Sequence, residues 1–391
     1  KGLLYKVYTI QPYSPAAGTG LSSHELNMPG AYKEVKDTTV VALFKVIKNE
    51  QSSFLFDDAN EDVRIAAWTT TPWTLPSNTA LSAGPDISYI KIKTSNPYTH
   101  TPVSVVLAEA LVPNWFGGKN QSTVEGQSAA FKGSKMKGIR YEPLLDFGNE
   151  IEPLLGGTDA YLVLTGDHVT TSDGTGIVHT APSFGADDQR VAKANGVGTL
   201  TLVDQTGKFK ENVGPYSGRY VKDYKDEPGY VAVDIDTAIQ LKTEGKALNV
   251  QKYEHNYPHC WRTDKPVLYY PMDSWFIKST ACKDRMIELN KTINWKPAHT
   301  GEKRFGNWLE NLQDWNLSRS RFWGIPLNIW RTEDGAEEKC IGSIALLAKE
   351  IDAANAALKM TQNVPGDLHR PFIDEIILVS SKGQPMKRET D

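Results

Sequence analysis

Three consecutive threonines leave a strand-like run and enter a proline-broken turn in WTTTPWTLPSNTA, Trp68 to Ala80. A cluster of hydroxyls suits chemistry in which a substrate and a water must be oriented and no strong base is needed. Thr69, Thr70, Thr71 and Thr74, with the amide of Asn78, would line such a pocket. The same residues also suit a plain strand edge whose hydroxyls bond the neighbouring backbone. Spacing alone does not choose between the two readings.

A second group lies in DGTGIVHTAPSFGADDQR, Asp173 to Arg190. Gly174 and Gly176 permit close backbone approach, His179 ends a strand, and Asp187 and Asp188 open a helix. A strand-end histidine is commonly structural, and an aspartate in a first helical turn commonly just complements the helix dipole. Strand, glycine turn and helix together bring an imidazole and a carboxylate to one end of a sheet, where ligands bind in α/β architecture. A carboxylate there could hold an ammonium group by charge-assisted hydrogen bonds. A third group, NLQDWNLSRSRFWGIPLNIW, interleaves Trp315, Arg319, Arg321, Phe322 and Trp323. It suits a nucleotide-facing surface, or a buried aromatic cluster with snorkelling arginines.

The elements that must position these groups follow from apolar alternation. TTVVALFKVI, VRIAAWT, ISYIKIKT and SVVLAEAL read as strands, with more at YLVLTG, GTGIVHTA and LTLVD. Helices are expected over FGADDQRVAKANG and DTAIQLKTEG. Residues 37–250 thus read as a compact mixed-β domain, residues 1–36 as a loop-rich lead-in, and residues 251–391 as a second unit rich in aromatics and arginines.

Lys and Arg total 43 against 47 Asp and Glu, a net charge of −4, so no global basic field marks a large nucleic-acid footprint. Any RNA contact is expected to be local. The three cysteines, Cys260, Cys282 and Cys340, are widely spaced, which argues against a disulfide framework or a self-contained zinc site and suits a reducing cytoplasm. No stretch approaches the roughly 20 apolar residues of a membrane helix. The chain starts at Lys1 and stops in MKRETD, and it is read as a piece of something larger.

WTTTPWTLPSNTA, GTGIVHTAPSFGADD, YPHCWRTDKP, DSWF and DWNLSRSRFWGIPL occur in the order seen in isoleucyl-tRNA synthetases, and HRPFIDEIILVSSKGQPMKRETD resembles the lead into the later half of their catalytic domain. The resemblance covers nearly the whole chain. Leucyl and valyl enzymes carry an arginine in the threonine motif, as TTRPDT or TTRPET, where Thr71-Pro72-Trp73 stands here.

The resemblance implies an α/β fold: a mixed, β-barrel-like editing domain with helices, flanked by partial segments of a Rossmann-type catalytic domain. It implies hydrolysis of valine from mischarged tRNA(Ile), and from valyl-adenylate as a further possibility, inside a monomeric cytoplasmic enzyme that attaches isoleucine to tRNA(Ile) with ATP and Mg. One methylene in a hydrophobic pocket discriminates only about 10–200-fold, and isoleucine against valine in this family is itself the standard illustration, so a second sieve is needed. Carried over, Thr70, His179 and Asp188 are catalytic residues, with Asp188 anchoring the α-ammonium group and His179 beside the terminal adenosine or amino-acid side chain. Thr69, Thr71, Trp73, Thr74 and Asn78 bind substrate, and Trp323 is a remnant of the synthetic site's isoleucine pocket. The ATP motifs are expected outside Lys1–Asp391, and editing is expected to need no metal or cofactor. At the places where many members bind zinc through cysteine pairs, YSPAAGTGLS and CWRTD retain Cys260 alone. Two rival readings are a non-catalytic module for the tRNA acceptor end and an editing domain of a valyl or leucyl type.

Overall fold

The computed structural model describes residues 2–118, 121–222, 224–318 and 326–389. It is a mixed α/β structure, and its chain divides into two compact units, residues 8–273 and residues 1–7 with 274–391.

The larger unit is built on a ten-stranded sheet. Its strands include β2 (Tyr32–Lys45), β3 (Val63–Thr69), β4 (Ala80–Ala83), β5 (Ser88–Ser95), β6 (Pro102–Ala108), β7 (Leu162–Thr165), β8 (Ile177–Thr180) and β9 (Ala247–Pro258). The run VVALF near the end of β2 shows why the sheet forms. Val40, Ala42 and Phe44 pack on one face in a cluster with Ile65, Leu81 and Val163, while Val41 and Leu43 pack on the other with Ile90 and Val105. Alternate residues point to opposite faces, and here both faces are covered, so the strand is apolar without interruption.

The order β7–β4–β8–β3–β6–β5 sets up the site. β8 lies between β3 and β4, parallel to β3 (Val178 opposite Trp68) and antiparallel to β4 (Thr180 opposite Ala80). The chain leaving β3 at Thr69 must therefore vault the end of β8 to enter β4 at Ala80. Residues 70–79 make that vault, with a 3-10 turn over Pro72–Ser77 that is buried throughout. Two glycines let the strand before it close in. Gly176, at φ +71°, leaves room where a Cβ would stand 2.4 Å from the Ala108 Cβ, and Gly174, at φ +73°, lies against the Trp68 ring.

Helix α1 (Ala186–Ala194) follows β8, and helix α2 (Val233–Thr243) packs beside the vault. Both helices occupy segments the sequence marks as helical. LTLVD does not form a strand; it contributes only isolated bridges such as Val203 to Phe209. The lead-in holds more order than its prolines suggest, because Leu4–Ser14 is one strand, β1, with Ile10, Tyr13 and Ser14 buried. Cys260 sits in a small cluster with Leu21 and Val267, so packing holds this part of the scaffold.

The smaller unit contains helix α3 (Lys283–Asn290), helix α4 (Ile344–Leu358) and a four-stranded antiparallel sheet whose order is Glu338–Cys340, Ile329–Thr332, Pro385–Arg388, Ile377–Val379. α4 presents Leu347, Ile351 and Ala354 to a core with Trp330, Leu378 and Met386. The spacing i, i+4, i+7 is that of one helical stripe.

Candidate active site

Under the vault, His179 is the fixed point. Its Nε2 lies 2.9 Å from the Thr74 hydroxyl and its Nδ1 lies 2.9 Å from the Asn78 side-chain nitrogen. That nitrogen also donates to the carbonyls of Ala80, at 2.7 Å, and Thr180, at 3.3 Å, while the Tyr141 hydroxyl donates to Asn78 Oδ1 at 2.7 Å. Rotating the amide would set its oxygen against two carbonyls, so the orientation follows from the partners. Asn78 is the donor to Nδ1, which leaves the proton on Nε2 and makes Thr74 the acceptor. The Thr74 hydroxyl in turn donates to the Thr71 carbonyl at 2.8 Å. Burial drives the His179 pKa down to about 3, and the ring is neutral at physiological pH. With both nitrogens engaged, it is a strut.

The threonines divide by what they hold. Thr69 Oγ1 accepts from the Thr71 amide at 3.1 Å, and the Thr71 hydroxyl stands 3.4 Å from that of Thr69 and 3.5 Å from that of Thr74. Thr70 is half-buried and takes no part in this circuit. Ser77 and Thr79 of the vault also have hydroxyls without a partner among the described residues, but both side chains are fully buried, so Thr70 offers the partly exposed hydroxyl outside the circuit that a ligand or a water can reach.

Trp73 is turned inward. Its ring packs edge-on to Phe184, 5.1 Å between centroids, within a cluster that includes Leu202 and Phe209. The indole N–H is buried without a hydrogen-bond partner among the described residues.

Asp188 stands where β8 ends. Its Oδ2 accepts from the Ala181 amide at 3.0 Å, two residues beyond His179. Burial pushes its pKa up to about 6, helped by the charge of Asp187 and opposed by that amide bond. Such a carboxylate is ionised at neutral pH yet short of partners, a state in which a cation is welcome. Gly185 makes room for it, since a Cβ there would lie 2.7 Å from the same oxygen. Asp187 is exposed and pairs with Arg190 at 3.2 Å.

The structure thus brings together Thr69, Thr71, Thr74, Asn78 and His179 through hydrogen bonds, and ties Asp188 to the end of the same strand. Trp323, and with it Arg319, Arg321 and Phe322, lies outside the described residues.

The sequence model of the class I tRNA synthetases (I, L, M and V) matches residues 1–384. The chain belongs to this family. Isoleucine--tRNA ligases of Cytophaga hutchinsonii and Bacteroides fragilis are 52% and 51% identical to it over all of its length, and it spans 37% and 38% of theirs. The Plasmodium falciparum cytosolic leucyl-tRNA synthetase editing domain overlaps 55% of the chain, and 99% of its own, at TM-score 0.37 and 9% identity. A likeness that loose bears on neither substrate nor mechanism.

Among the described residues no group of three or more His, Cys, Asp or Glu could hold a metal ion. No helix among them is long and apolar enough to cross a membrane.

Residue types did not reveal several members of the site. Tyr141, fully buried, orients Asn78. Asp234, in the first turn of α2, accepts from the Trp73 amide at 2.8 Å, and burial raises its pKa to about 7. Nearby, Asp37 pairs with Lys222 and with His255 Nε2, the latter at 2.9 Å. The one available signal was the pair of acidic residues at the start of DIDTAIQ, which on sequence grounds reads as helix-dipole complementation.

Proposed function

We propose that residues 37–250 form the editing domain of an isoleucyl-tRNA synthetase and hydrolyse valine from mischarged tRNA(Ile), with residues 1–36 as its lead-in and 251–391 as partial catalytic-domain sequence. The intact protein then joins isoleucine to tRNA(Ile), the activity its relatives' names print; that reaction would draw on ATP and Mg and take place in the cytoplasm.

The observation that carries this reading is the pairing of a frozen hydroxyl frame with two uncommitted groups, the Thr70 hydroxyl and the Asp188 carboxylate. An aminoacyl ester is already activated, so its hydrolysis depends on placing water and stabilising the developing oxyanion. Asp188 would hold the α-ammonium group, fixing the ester carbonyl near the vault. Thr70 would orient the water. The water oxygen bonds to the carbonyl carbon, the ribose oxygen leaves with a proton, and valine and free tRNA result. His179, Thr71 and Thr74 keep the wall rigid, and Trp73 backs it from the apolar side, which excludes the larger isoleucine.

The test follows release of amino acid from Val-tRNA(Ile) and Ile-tRNA(Ile) by the intact protein. Valine should be released at least tenfold faster, in the range one methylene can supply. Binding of tRNA with no release of either would leave the acceptor-end module as the better reading.

A further inference from the structure

Asp234 joins the vault from outside the motifs. It is the second residue of the eleven-residue helix α2, and its Oδ1 accepts from the Trp73 amide at 2.8 Å across 161 positions of chain. Thr237, Ala238 and Leu241 of the same helix are buried, and the spacing puts Asp234 on their stripe. A first-turn aspartate usually serves its own helix; this carboxylate reaches across to another element.

The surroundings explain how a carboxylate is tolerated there. Lys222, 4% exposed at its side chain, pairs with Asp37, whose other partner is His255. The Lys222 ammonium lies 4.4 Å from the Tyr257 ring centre. Lys252, whose ammonium donates to the Thr38 hydroxyl at 2.8 Å, adds a second positive charge that acts on Asp234. The lysines balance the two carboxylates.

Two grips therefore meet at Trp73. Its ring is held only by packing, because the indole N–H has no partner among the described residues, and its backbone is held by Asp234. The next residue, Thr74, holds His179. Any drift of the backbone at position 73 passes directly into the hydroxyl spacing over β8.

We propose that Asp234 is a positioning residue for the threonine vault: it fixes the Trp73 amide and thereby the width of the pocket and the placement of Thr70. The inference rests on the deacylase reading for its activity readout alone. Its function is that of a hydrogen-bond acceptor, so an amide oxygen should replace it.

The experiment compares the parent protein with Asp234→Ala and Asp234→Asn by amide hydrogen exchange at Trp73 and by the kinetics of valine and isoleucine release. In the parent, the Trp73 amide should be protected. Asp234→Ala should speed its exchange at least tenfold, lower kcat for valine release about tenfold or more with KM changed less, and narrow the valine-to-isoleucine ratio. Asp234→Asn should restore all three. Exchange at an open-loop rate in the parent, or an Asn variant that behaves like Ala, would overturn the proposal. Should Asp234→Ala not fold, those two measurements still decide. A parent that releases no valine would sink the deacylase reading and leave the exchange result to stand by itself.

Discussion

His179 and Asp188 sit at the same end of one strand, and they are opposites. Both ring nitrogens of His179 are bonded, its neighbours are bonded in turn, and burial keeps it neutral. Asp188 has a single backbone amide on one oxygen and a carboxylate that burial holds near the edge of ionisation. The first region is a frame with nothing left to offer, and the second is a group still waiting for a partner. A site that only positions an activated ester and a water needs both kinds.

The largest structural effect should come from the frame. Asn78→Ala removes a donor to two carbonyls and to His179 and orphans the Tyr141 hydroxyl. At about 1–3 kcal/mol per buried group left unsatisfied, urea unfolding should show a loss of about 3 kcal/mol or more. Asp188→Asn, which keeps an oxygen for the Ala181 amide, should cost about 1 kcal/mol or less. If the two losses came in the reverse order, the contrast between frame and free group would fall.

The threonines sharpen the same contrast. Thr74→Ala breaks the link between His179 and the Thr71 carbonyl and should cost about 1–2 kcal/mol of stability. Thr70→Ala should leave stability within about 0.5 kcal/mol and lower valine release about tenfold. Equal stability losses for the two would put Thr70 inside the frame.

The pH dependence is a milder probe. If the ionised Asp188 holds the substrate's ammonium group, valine release should fall as pH drops through about 6, and Asp188→Asn should flatten that limb. For stability the sign is opposite. A carboxyl whose pKa is higher folded than unfolded favours the folded state below the unfolded value near 4, and that contribution is lost as pH rises through about 6. His179 works against it: with its pKa lowered from the ordinary 6.5 to about 3 by burial, it favours the folded state above 6.5, and that contribution is lost as pH falls toward 3. Asp234 titrates close by, near 7, so the Asp188→Asn profile is the necessary subtraction. The smallest effect should be that of Gly185→Ala, where the new methyl must displace the Asp188 oxygen; release should fall a few-fold.

Much of this was legible in the sequence. VRIAAWT occupies β3 at Val63–Thr69, and ADDQRVAKA is helix α1, because apolar alternation and a first-turn acid are local signals. The threonine motif was legible as residue types. Its division into bonded and unbonded hydroxyls was not, because that depends on β8 passing between β3 and β4, a pairing between segments a hundred residues apart. Tyr141 gave no signal, and Asp234 read only as an acid complementing its own helix dipole, for the same reason: each acts through one long-range hydrogen bond. LTLVD misled because its apolar residues pack in a cluster with Phe209 and Tyr216 without joining the sheet.

The most direct test of the account measures valine release from Val-tRNA(Ile) by the parent and by Asp188→Asn, with thermal unfolding of both. The account predicts a loss of about a hundredfold or more in rate with nearly unchanged unfolding, because the charge that holds the ammonium group is gone while the Ala181 amide keeps its acceptor. Equal rates for the two proteins would contradict it.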